Sequence, residues 1–92
     1  SLDQPEKART CLLDILKIDS TDYYALSNLA KLEYAAGNND IGTDYLTRAF
    51  ASNKEEALKN SEGLLAYLES KHLAEANKAA SAVVESYRKA AK

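Results

Sequence analysis

Methionine and tryptophan are absent from the 92 residues, and Pro, Cys, His and Phe occur once each. One Pro and three Gly are too few for the many turns of an all-β chain. Cys11 stands alone, so no internal disulfide can form; the compartment stays open, with a slight lean to the cytoplasm. The longest uninterrupted apolar run, Leu64 to Leu68, falls far short of a membrane span, and no signal-peptide pattern opens the chain. A soluble protein without membrane insertion is therefore expected. Positive charge is not in excess: 12 Lys and Arg face 14 Asp and Glu, which argues against a nucleic-acid partner. The missing Met suggests a processed chain or, preferably, a piece of a longer protein.

What is present is helix-forming. Sixteen Ala and 13 Leu face two Val and three Ile, a balance that favours helix over sheet. A hydrophobic share of 46% with 28% charged residues is that of a globular chain, and the length allows one domain, 1–92.

Shifting the sequence against itself by 34 residues, without a gap, aligns four columns in three copies. They are Ala8, Gly42 and Ala76; Leu12, Leu46 and Ala80; Ile15, Ala49 and Val83; and Leu16, Phe50 and Val84. Every member is small or apolar, and the spacing within a copy lies on one helical face.

Punctuation predicts five helices. Asp3 and Glu6 read as a capping box opening a helix from about 4 to 18, with Pro5 tolerated in its first turn. Asp19 to Asp22 close it and cap a second, about 23–36, which Gly37 ends as a left-handed residue. Asn38, Asn39 and Asp40 cap a third, about 40–51, and Ser52 with Glu55 reads as a second capping box for a fourth reaching Ser70. Lys71 and His72 break the chain before a fifth. Connections this short make sequential helices antiparallel neighbours.

Helix pairs of period 34 with small residues at the crossing resemble the tetratricopeptide repeat (TPR). Leu26, Leu29 and Ala30 fill the first part of that pattern, Gly37 its turn, Gly42 and Leu46 its second part, and Ala49 its next small position. Glu33 stands where an aromatic is usual, with Tyr34 beside it, and Lys54 replaces the final Pro. The resemblance implies an all-α fold of antiparallel helix-pair repeats, a TPR-like α-solenoid of about five helices. On this division, 1–20 is the second helix of a truncated repeat, 21–53 a complete repeat, and 54–92 a degenerate repeat with a terminal helix. In the degenerate copy Asn60, Gly63 and Leu64 take the places of Leu26, Leu29 and Ala30, and Lys71 that of the turn glycine. Ala30 is expected to cross against Gly42 and Ala49, so Ala49→Leu should cost about 1–3 kcal/mol. Leu29→Ala should cost roughly 2–5 kcal/mol.

Reactive chemistry is sparse. Glu69 and His72 form a single Glu-x-x-His, a spacing that builds di-iron sites only when duplicated with further carboxylates. His72 reads more simply as a histidine at the negative end of a helix. Cys11 reads as a small buried hydrophobe. Asn38-Asn39-Asp40 lacks the later Gly and Glu of a calcium loop, and no phosphate loop or nucleophilic triad is present. Neither enzymatic activity nor a cofactor or metal is expected.

The expected function is protein–protein interaction, with a peptide or partner helix bound on the concave surface of the first helices of each pair. On the second helix that side carries Tyr24, Asn28, Lys31 and Ala35, with Ser27 and Tyr34 at its edge. Tyr24 and Tyr34 either supply flat contact area there or pack between repeats. At the same spacing the fourth helix offers Leu58, Glu62 and Leu65, of which the two leucines are either groove wall or core. Some TPR co-chaperones grip a terminal carboxylate with Lys, Arg and Asn from successive first helices. Asn28 fits the position of such an Asn, but Leu58 and Glu62 fall where the cations belong, so the resemblance implies no clamp here. The alternative is a structural or oligomerisation segment of a longer array, associating through the flank at Cys11, Leu12 and Ile15. The final helix, with Glu75, Lys78, Glu85, Arg88 and Lys89 on its outer face, would then be either a cap or a docking point for further repeats.

Overall fold

The computed structural model describes residues 4–90, with side chains from 6 to 89. It is all-α, and the described residues form five helices: α1 Gln4–Ile18, α2 Tyr23–Ala35, α3 Asn39–Ser52, α4 Lys54–Ser70 and α5 Ala74–Ala90. The bounds of α1 to α4 lie within two residues of those read from the sequence, and α5 follows the break at Lys71 and His72. α2 packs most extensively on α3, and α4 on α5; α1 rests on α2, and α3 also meets α4 and α5. No helix is long and apolar enough to cross a membrane among the described residues.

Helix ends follow from local chemistry. Asp22 caps α2, its Oδ1 accepting from the Ala25 N–H at 2.9 Å, while Asp19 Oδ1 accepts from the N–H and hydroxyl of Thr21. Gly37, at φ 88°, ends α2 by donating its N–H to Tyr34, while the Asn38 N–H returns to the Glu33 carbonyl. Two caps differ from expectation. Ser52 does not open α4: it is the last residue of α3, and its hydroxyl donates to the Thr21 carbonyl. Asn53, the single residue between the two helices, caps α4 by accepting from the Glu56 N–H at 3.1 Å. Asn38 precedes α3 but its side chain makes no cap; it donates to Glu33 instead. The Asp3 half of the first capping box lies outside the described residues.

The repeat columns all contribute to the core, together with Ala25, Leu26, Leu29, Ala30, Ala57 and Leu68. Leu12, Gly42, Leu46, Ala49, Phe50, Ala76, Ala80 and Val84 are buried, and Ala8, Ile15, Leu16 and Val83 are half-buried. Between α3 and α5 the Phe50 and Tyr87 rings stack at 4.5 Å with an 11° tilt. Tyr34 is wholly buried, contrary to its expected place at a surface edge, and its ring lies across Gly42. The smallness of Gly42 thus answers to a tyrosine rather than to Ala30. Cys11, expected to be buried, is exposed, because the half-turn that seals α1 onto α2 is centred on Leu12 and Ile15.

The second pair follows a different spacing. His72, not Lys71, is the left-handed residue after α4, with φ 59°; its N–H goes to Glu69, and that of Leu73 to Leu68. These are the bonds of Gly37 and Asn38 repeated 35 residues on. The buried face of α4 obeys the same interval: Ser61, Leu64, Leu65 and Leu68 stand to α4 as Leu26, Leu29, Ala30 and Glu33 stand to α2. Helices α3 and α5 keep 34. One residue is therefore gained before α4 and lost between His72 and Ala76.

Candidate functional site

Two adjoining grooves flank the exposed face of α2. The first, of about 350 Å³, lies between α2 and α4; Ser27, Asn28 and Lys31 form one side, Asn60, Gly63 and Leu64 the other, and Leu46 and Ala49 are at its base. The second, of about 340 Å³, lies between α1 and α2, where Ala8, Cys11, Leu12 and Ile15 face Tyr24, Asn28 and Leu32, with Tyr67 of α4 closing one side. Asn28 and Lys31 border both.

The helix itself positions these groups. Asn28 Nδ2 donates to the Tyr24 carbonyl at 2.8 Å, and the Ser27 hydroxyl donates to the same oxygen. Lys31 reaches over α4, its Nζ 4.5 Å from the centre of the Tyr67 ring; Lys71 approaches that ring at 5.8 Å. Across the first groove Asn60 Nδ2 donates to the Tyr23 hydroxyl at 3.0 Å, tying α4 to α2.

Of the residues proposed from sequence, Tyr24, Ser27, Asn28 and Lys31 come together here. Ala35 is exposed but borders neither groove. Tyr34 is removed from the surface by burial; its hydroxyl bonds Thr43 at 2.8 Å, and desolvation pushes its ionisation above the ordinary tyrosine range despite that bond. Leu58 and Leu65 are half-buried and pack on the core, and Glu62 is exposed and borders neither groove. Their places are taken by Asn60, Gly63, Leu64 and Tyr67. A 35-residue interval finds only Gly63 among them, from Asn28; it carries Tyr24, Ser27 and Lys31 onto Lys59, Glu62 and Ala66, so the others are set by how α4 packs on α2 and not by repetition.

Two other polar sites are structural in their contacts. Glu33 is buried on α2; Arg9 Nε of α1 donates to its Oε2 and Asn38 Nδ2 to its Oε1, each at 2.9 Å. Arg9 also pairs with Glu6, and the bond to Glu33, then that to Glu6, raise its pKa above the ordinary arginine value. Glu69 and His72 border a shallow depression with Leu73, Ala74 and Asn77. Among the described residues no three His, Cys, Asp or Glu side chains gather as a metal set. No protein-family model, curated protein or solved structure matches the chain.

Proposed function

We propose that the chain is a non-catalytic protein-interaction module of tetratricopeptide type, which binds a peptide or partner helix along the face of α2. The observation that carries this reading is the pair of grooves sharing Asn28 and Lys31, with the exposed Tyr24 at one rim and Tyr67 at another. Tyrosine is among the residues that interface hot spots favour, and the amide and ammonium groups beside it add hydrogen-bonding capacity. That eight of the 12 members of the 34-residue columns are buried and the other four half-buried supports the repeat part of the reading. The test is binding of the intact chain to a displayed peptide library, compared with a Tyr24→Ala/Lys31→Ala variant. Equal capture of the same peptides by both would refute the site.

A second reading, a structural or oligomerisation segment, draws on α1. Cys11, Leu13 and Ile18 of α1 are exposed, Ile18 to 90%. Light scattering after size exclusion separates the two: self-association abolished by Leu13→Lys/Ile18→Lys favours the second, and a monomer the first.

A further inference from the structure

We propose that the occupant of the paired grooves is an extended peptide that sets an acidic side chain on Lys31 between two apolar side chains, one in each groove. This rests on the interaction-module reading and adds the chemistry of the partner.

Charge is the first argument. The chain carries 14 acidic residues, yet none borders either groove, and the one cation bordering both is Lys31. Lys31 forms no ion pair with any described residue; its contact is the Tyr67 ring, and Lys71 adds a second positive charge beside that ring. The carboxylate that repetition at 34 would set against an acidic ligand, Glu62, borders neither groove. An anion arriving at Lys31 therefore meets an ammonium group in a lining that holds no acid, and gains a charge-assisted hydrogen bond.

Geometry supplies the rest. Asn28 and Lys31 lie one turn apart on α2 and form the ridge between the grooves, so a strand crossing the ridge drops side chains to both sides. Leu46, Ala49 and Leu64 supply an apolar part of the first groove, and Leu12 and Ile15 one of the second. Asn28 uses its amide N–H on the Tyr24 carbonyl, which leaves its side-chain oxygen to accept a ligand N–H. An extended backbone has such N–H groups to offer; a helix has already spent them on itself.

The test is selection from a displayed library of random dodecapeptides on the intact chain, repeated with Lys31→Glu and with Gly63→Leu, each checked for folding by circular dichroism. A Cβ at Gly63 meets nothing within 4 Å, and leucine is the better helix former, so Gly63→Leu fills the first groove without straining the fold. Selected peptides should share an Asp or Glu flanked by apolar residues. Lys31→Glu should weaken them by about tenfold or more and, on fresh selection, replace the acid by Lys or Arg. Gly63→Leu should weaken them without changing the preference for acid. Peptides that are lost on Gly63→Leu but show no acidic preference and ignore Lys31→Glu would overturn this assignment and leave the interaction module standing. Selection of no peptide, or only of peptides indifferent to Gly63→Leu, would overturn both.

Discussion

The ring of Tyr34 lies flat against the backbone of Gly42, so that a Cβ added there would sit 2.8 Å from the ring's Cδ1. Both residues are buried, and the ring has no solvent side toward which to retreat. Helix propensity alone would make Gly42→Ala favourable by roughly 1 kcal/mol. Overpacking reverses that sign: a net loss of about 1–3 kcal/mol is expected in urea unfolding. Adding Tyr34→Leu should recover part of it, since the two sites touch and their effects are not additive. A stabilised Gly42→Ala chain would contradict the packing.

Tyr34 also predicts a response to alkali. Its folded pKa is raised by burial, so the folded state holds the phenolic proton more tightly than the unfolded state does. Stability from this group is fully present below the unfolded value of about 10 and declines as pH rises through the folded one. Thermal melts between pH 8 and 11 should fall more steeply for the native chain than for Tyr34→Phe. At pH 7 the same substitution loses the bond to Thr43 and should cost about 0.5–1.5 kcal/mol.

At the two left-handed turns, the same hydrogen-bond pattern is served by unequal residues. His72 at φ 59° carries a Cβ that Gly37 at φ 88° lacks. His72→Gly should raise stability by about 0.5–1 kcal/mol, and Gly37→Ala should lower it by about 1 kcal/mol. Guanidinium midpoints moving in the opposite directions would refute the assignment of both turns.

The Arg9–Glu33 pair joins α1 to α2 through a buried carboxylate. Arg9→Ala leaves that carboxylate with Asn38 alone and should cost about 1–3 kcal/mol, below the range for a fully buried pair because Arg9 is one-fifth exposed. Replacing both partners together, as Arg9→Met with Glu33→Leu, should restore most of the loss. A double variant as unstable as Arg9→Ala would show that the interaction contributes more than compensation for burial.

Much of the fold is legible because the apolar columns of α1, α3 and α5 share one interval, and because Asp22 and Gly37 act within a few residues of themselves. The inner face of α2 is legible through Leu26, Leu29 and Ala30. What sequence reading misses depends on distant partners. Tyr34 and Glu33 are adjacent on the helix, and only the position of Gly42 against one and Arg9 against the other shows that both are buried. Cys11 and Leu12 differ in the same way. For α4 the loss is larger, since carrying Tyr24, Asn28 and Lys31 forward by 34 lands on Leu58, Glu62 and Leu65. Two of those turn inward and none borders a groove.

The extra residue ahead of α4 and the missing one after His72 behave as a pair of compensating edits. Deleting one residue before α4 would turn that helix by about 100°, carrying Glu62 and Glu69 toward the core and Ser61 and Leu68 away from it. Restoring a residue between His72 and Ala76 would turn α5 by the same angle and unseat Tyr87 from Phe50. The two helix pairs are therefore not interchangeable cassettes: a chimaera that duplicates either pair must carry its own offset at the junction, or its helices will meet with the wrong faces.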